Sequence, residues 1–169
     1  MSQLSPVQLG ESFIGQGAEA AHVNTVLGLR SGSIGTAWAT ALATPSIGHA
    51  PFVAILAPGV AVQPMTLFVT KAAIADDRHG TLVWGAAQAG VAGGVADALA
   101  DAVIDAAGVH ELCLIVAVWV NPGAQDEQLV YANNRLAVRT ALANGAASLP
   151  SVEQVIAARS AVSNPFFTP

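Results

Sequence analysis

The run Leu112-Cys-Leu-Ile-Val-Ala-Val-Trp-Val120 constrains the fold more than any other stretch of the chain. It carries no charge and is Val/Ile-rich, which suits a strand, and it is far shorter than the ~18 apolar residues of a membrane span. It belongs at the centre of a sheet. The neighbouring segments must then supply further strands and the helices that cover them. Gly10 to Leu29 reads as two strands separated by a turn over Gly15 to Glu19, Phe52 to Ala57 as a buried strand bounded by Pro51 and Pro58, and Met65 to Ile74 as another headed by Pro64. Thr36 to Ala43 reads as a short helix that Pro45 ends.

From His79 to Ala107 the spacing is helical but interrupted at Gly85, Gly90 and Gly93-Gly94, so two helices with a bend compete with one. Small residues there permit close helix packing. Asn121-Pro-Gly-Ala predicts a turn and Asp126 to Asn144 a helix ending at Gly145, followed from about residue 146 by an irregular tail with room for a short helix in Val152 to Val162. The pattern specifies one α+β domain over residues 1–169, without internal repeats.

Composition narrows the partners. Charged residues make up 10% against 53% hydrophobic, and mean hydropathy is +0.56. So few charges leave an ordinary monomer's surface undercovered, which predicts an oligomer. A net charge of −5 and six scattered cations (Arg30, Lys71, Arg78, Arg135, Arg139, Arg159) give no basic stripe for nucleic acid. Met1 to Val7 lacks the basic and apolar regions of a secretory signal, and the lone Cys113 has no disulfide partner, so a cytoplasmic location is expected, with no membrane partner. Cys113 itself reads as a small core side chain. No His, Cys or carboxylate pair has metal-ligand spacing, so no metal is expected, and the glycine-rich turns match neither a P-loop nor a full dinucleotide fingerprint. His49 reads as structural, His79 and His110 as exposed, and Trp38, Trp84 and Trp119 as core or interface anchors.

His22 is the first candidate for proton transfer. It follows a glycine-punctuated turn, and period-2 alternation points His22, Asn24 and Val26 to one face. An imidazole with a pKa near ~6.5 exchanges protons at neutral pH, best when a neighbour fixes its orientation.

Gly10-Glu-Ser-Phe-Ile-Gly-Gln-Gly-Ala-Glu-Ala-Ala-His-Val-Asn24, Gly48-His-Ala-Pro-Phe-Val-Ala-Ile-Leu-Ala-Pro58, Lys71, Trp84-Gly-Ala-Ala-Gln-Ala-Gly90 and Arg135-Leu-Ala-Val-Arg-Thr-Ala-Leu142 resemble the formaldehyde-activating enzyme family. The resemblance runs from about Val7 to Gly145. It implies a two-layer α/β sandwich of the ribosomal protein S5 domain 2-like fold, a homopentamer, and a cytoplasmic hydro-lyase of one-carbon metabolism, methylotrophy and formaldehyde detoxification. The implied reaction condenses formaldehyde with tetrahydromethanopterin, a co-substrate, to the methylene-bridged pterin and water. His22 is implied as general acid, and Asn24, Val53, Lys71, Ala73 and Gln88 stand at substrate-binding positions. A proton from a placed imidazole turns a carbinolamine hydroxyl into leaving water and is worth about 10²–10⁴-fold in rate.

Three departures lie in the expected pocket. Asn24 stands where the family usually has aspartate, Ala73 where it has threonine, and Asn121 near a usual histidine. An aspartate at 24 would raise the imidazole pKa and stabilise a cationic iminium; the amide does neither. A non-catalytic pterin- or formaldehyde-binding homologue, a sensor or carrier, is therefore the alternative. Another aldehyde reaction on a different amine is the third possibility.

Overall fold

The computed structural model describes residues 7–169, so the expectation about Met1 to Val7 falls almost wholly outside the described residues. Strands β1 (Val7–Ile14) and β2 (Ala21–Leu29) form an antiparallel hairpin, and helix α1 (Ser33–Ala43) follows. Next come β3 (Pro51–Val53), the small hairpin β4 (Ile55–Ala57) and β5 (Val60–Ala61), and β6 (Met65–Thr70). Helix α2 (Asp77–Thr81) runs through one π-helical stretch, Leu82–Ala87, into α3 (Gln88–Ala100). Strand β7 (Leu112–Trp119), helix α4 (Glu127–Ala146) and the short α5 (Val152–Ala158) complete the chain.

The main sheet has the order β1-β2-β7-β6-β3, with the Leu112–Trp119 strand in the middle as its composition requires. All its pairings are antiparallel except β6 with β7, which run the same way. Alternation then divides the side chains. Val23, Leu27, Leu114, Val116, Val118 and Phe68 point to the side occupied by α3 and α4 and are buried to within 5% exposure. The opposite side carries Glu11, Phe13, His22, Asn24, Ala117 and Trp119 by register; among the described residues α1 packs across part of it, against β2 and β7, and Phe166 of the tail reaches Trp119. The architecture is the expected α+β sandwich.

The interior glycines of α3 serve close packing. A Cβ on Gly90 would stand 2.5 Å from the Tyr131 carbonyl oxygen, and one on Gly94 2.5 Å from that of Arg135, so α4 lies against α3 where any larger residue would push it away. The π-helical stretch, rather than a break, accommodates Gly85.

Several boundaries and placements differ from the sequence expectation. The Phe52–Ala57 strand divides at the buried Ala54, whose N–H donates to Thr66, because the chain leaves the main sheet there for the β4–β5 hairpin around Gly59 (φ +80°). The Met65–Ile74 strand stops at Thr70; Lys71 makes a last backbone bond to Val118, and β7 ends at Trp119. Lys71 thus lies just beyond the strand, and Ala73 in an exposed connecting segment outside it. His79 is buried, not exposed: its Nδ1 accepts from Ala75 N–H and its Nε2 lies 3.0 Å from the Val120 carbonyl, tying the start of α2 to the end of β7. Trp84 is 56% exposed and is no core anchor of this chain. The tail folds as α5 with a Ser151/Gln154 capping box, then returns so that Phe166 meets Trp119 edge-on at 5.7 Å. No helix among the described residues is long and apolar enough to cross a membrane.

Candidate active site

Four polar side chains meet at one end of the lightly covered sheet face. His22 is the second residue of β2, Asn24 lies two further on, and Glu11 sits on β1 directly opposite Asn24 and diagonal to His22. Lys71 arrives from the end of β6, on the other side of β7. Strand β7 presents only Ala117 and Trp119 at this level, and the small Ala117 leaves the space that Lys71 crosses to reach β2.

The contacts form a chain. Glu11 Oε1 lies 3.1 Å from His22 Nε2, Lys71 Nζ lies 3.4 Å from His22 Nδ1, and Lys71 Nζ donates to Asn24 Oδ1 at 2.6 Å. An ammonium can only donate, so beside it a neutral ring accepts at Nδ1 and carries its proton on Nε2, which donates to Glu11. Burial, followed by the neighbouring Lys71 cation, pushes the His22 imidazole below its ordinary pKa, against the pull of Glu11. Burial likewise lowers Lys71, against the same carboxylate. The ring has 38% of its side chain exposed, so it is tethered yet open to solvent.

Asn24 shares the face of His22, as alternation requires, but its amide oxygen is bonded to Lys71 and not to the imidazole. The loss of charge at position 24 therefore bears first on the lysine. The carboxylate that holds the histidine is Glu11, which sequence reasoning missed as a site residue; its signal was the diagonal cross-strand register that a tight Gly15–Glu19 turn imposes between β1 and β2.

Aromatic walls flank this group. The Phe13 ring lies 5.8 Å from the His22 ring, Trp119 is paired with His22 across the sheet, and both line a cleft of about 500 Å³ with Gly15, Gly17, Asn121 and Phe166. That volume is in the range of small-molecule sites. Asn121 Oδ1 accepts from Gly123 N–H and so caps the turn at the cleft's edge.

Val53 and Gln88 come together elsewhere. With Phe52, Ile55 and Trp84 they line a cleft of about 250 Å³ at the β3 edge, where the Gln88 side-chain oxygen accepts from Ile55 N–H. Strand β3 stands three places from β2, about 14 Å at ~4.8 Å per strand. The structure thus joins His22, Asn24 and Lys71 in one group and Val53 and Gln88 in another, and places Ala73 in neither. A third cleft, about 360 Å³ and lined by Arg30, Trp38, Met65 and Cys113, lies beneath α1 toward the opposite end of β7 and holds none of the four polar groups. Among the described residues, no set of three His, Cys, Asp or Glu side chains is placed to hold a metal ion.

Comparisons with known proteins identify the family. The family model described as formaldehyde-activating enzyme (Fae) matches residues 9–167. The 5,6,7,8-tetrahydromethanopterin hydro-lyase of Methanosarcina barkeri is 37% identical over 158 residues, spanning 94% of this chain and 89% of that protein. The bifunctional enzymes Fae/Hps of Methanosphaera stadtmanae and Archaeoglobus fulgidus are each 33% identical over 94% of this chain, which spans only 39% and 40% of their lengths. On a match that takes in Glu11, His22, Lys71 and Gln88 alike, the chain belongs to the formaldehyde-activating enzyme family.

Proposed function

We propose that the protein condenses formaldehyde with tetrahydromethanopterin, or a closely related reduced pterin, to the methylene-bridged pterin and water, with His22 as general acid. The observation that carries this reading is the Glu11–His22 pair at the edge of an aromatic cleft, in a chain 37% identical to a tetrahydromethanopterin hydro-lyase. When formaldehyde adds to a pterin nitrogen, the resulting hydroxyl leaves poorly as hydroxide and readily as water. Protonated His22 holds Nε2–H on Glu11 and carries Nδ1–H on the side of Lys71, where it can protonate a hydroxyl seated beside that lysine. Loss of water gives an iminium, which the second pterin nitrogen closes. Glu11 also places negative charge near the cation, the role that Asn24 does not fill.

The flat pterin fits walls such as Phe13 and Trp119, and Lys71, Val53 and Gln88 supply further contacts. Two separate groups, each open on one side, support a site shared between neighbouring subunits of a closed homo-oligomer, in keeping with a pentamer. Exposed Leu9 (65%), Leu56 (50%) and Trp84 (56%) provide apolar surface for such contacts. Light scattering at micromolar protein should give a mass several times 17.0 kDa; a monomer would remove this part of the proposal.

Asn24 and Ala73 favour one other reading, a pterin- or formaldehyde-binding homologue without turnover. Methylene-pterin formation measured against the uncatalysed condensation separates the two. Acceleration that His22→Ala abolishes supports the enzyme, whereas pterin binding without acceleration supports the binding protein.

A further inference from the structure

Lys71 is the only lysine in a chain that has five arginines, so its primary amine is unique among the side chains. Its partners are unusual for a half-buried ammonium. The closest is the neutral Asn24 oxygen at 2.6 Å, while Glu11, the carboxylate facing this group, is bonded to His22. Burial favours the free amine here. An imidazole stands 3.4 Å away, within reach of a hydroxyl two bonds from Nζ. A nucleophilic amine, a neutral partner and a proton donor are the parts required for iminium formation with an aldehyde. A guanidinium does not offer the free amine that this chemistry needs, so the five arginines do not compete for it.

We infer that Lys71 captures formaldehyde covalently, as a carbinolamine and then a methylene iminium, and passes the one-carbon unit to the second substrate. The inference rests on the proposal that formaldehyde is a substrate, and it gives Lys71 a role beyond contacting the pterin. Each step balances. The free amine forms a C–N bond to the carbonyl carbon, and its proton passes to the oxygen. His22, as imidazolium, protonates that hydroxyl; the C–O bond breaks, water leaves and the nitrogen lone pair makes the C=N bond. A pterin nitrogen then adds to the carbon and the C=N pair returns to Lys71, whose amine leaves after taking the pterin proton. The second pterin nitrogen closes the bridge, and the proton it sheds recharges His22. No oxidant or reductant is needed.

The unique lysine makes the test direct. The intact chain, without pterin, is treated briefly at pH 7.5 with limiting ¹³C-formaldehyde and cyanoborohydride, which reduces iminium to N-methyl, and the label is mapped by mass spectrometry. The α-amine serves as internal reference. An ordinary lysine (pKa ~10.4) holds roughly two hundredfold less free amine at this pH than an α-amine (pKa ~7.7–8.0). The inference expects Lys71 to label at least tenfold faster than the α-amine. It also expects Asn24→Asp, whose carboxylate holds the ammonium, to slow Lys71 labelling several-fold and leave the α-amine unchanged. His22→Ala should slow dehydration at Lys71 alone. Labelling of Lys71 no faster than the α-amine, or equal Lys71 rates in wild type and Asn24→Asp, overturns it. Because no pterin is present, the outcome is independent of the condensation assay. Catalysed condensation without Lys71 labelling defeats only this inference, whereas Lys71 labelling without condensation defeats only the pterin-enzyme reading.

Discussion

The two faces of the central sheet are built from the same strands and do opposite work. Toward α3 and α4 the alternate residues are buried and mostly apolar, with Thr25, Thr66 and Thr70 among them, and the helices approach so closely that Gly90 and Gly94 admit no side chain. Toward the other side, one residue along, Glu11, His22, Asn24 and the incoming Lys71 share hydrogen bonds in a half-open setting. Stability and chemistry are thereby separated by the two-residue period of a strand, so substitutions on one face should leave the other's property nearly untouched.

The largest effect should come from breaking the buried face. Leu114 is fully buried at the centre of β7, and Leu114→Ala should cost about 2–5 kcal/mol, a large share of a typical domain's stability, seen as a lower urea midpoint. Activity per folded molecule should persist. His22→Ala tests the converse: condensation should fall by about 10²–10⁴-fold while the urea midpoint hardly moves. Equal losses of stability from both variants would defeat the division.

Glu11→Gln sharpens the comparison within the polar group. His22 titrates below its ordinary value, so the protonated, active ring is lost as pH rises through that lowered pKa, and rate should climb toward mildly acidic pH. Removing the carboxylate removes the one influence that raises it. The profile should shift further to acid, with a loss at pH 7 of about two- to tenfold (~0.4–1.4 kcal/mol) for so exposed a pair. Stopped-flow pH profiles of both forms check this, and unchanged profiles would remove Glu11 from the mechanism.

The smallest effect should come from the helix layer's outer surface. Arg135 bonds both Asp97 oxygens at 2.7 Å, and the Asp97 carboxyl is held below its usual value chiefly by those hydrogen bonds. A depressed carboxyl contributes stability above its unfolded pKa of ~3.9 and loses it as pH falls through the folded value. Arg135→Lys should therefore cost no more than about 1 kcal/mol at neutral pH and progressively less below about pH 4, by urea denaturation at several pH values.

The sheet was largely legible from the sequence because its signal is local: Leu112 to Val120 reads as a central strand, and His22, Asn24 and Val26 share a face through alternation alone. The site was legible only in part. Its contacts join β1 to β2 and β2 to the residue after β6, and no local period encodes how far β6 slides along β7. Hence Asn24 reads as a partner for the imidazole but bonds Lys71, and Glu11 passes unnoticed among surface carboxylates. His79 shows the same limit: a histidine at a helix start looks exposed until the end of β7 is folded over it.

The single parallel pairing in the sheet has a wider consequence. Because β6 and β7 run together while β2 runs against them, two strand exits and one strand entrance fall at the same end, and His22, Lys71 and Trp119 are each within a residue or two of a connecting segment. The groups of the candidate site are thus carried by the main sheet but bordered by segments 15–20, 71–76 and 120–126, none of which contributes a strand to it. Ala20, Val120 and Ala124 in those segments belong to the core, whereas inherited changes at outward positions such as Ala73 and Asn121 can alter which molecule is admitted without reopening the folding problem.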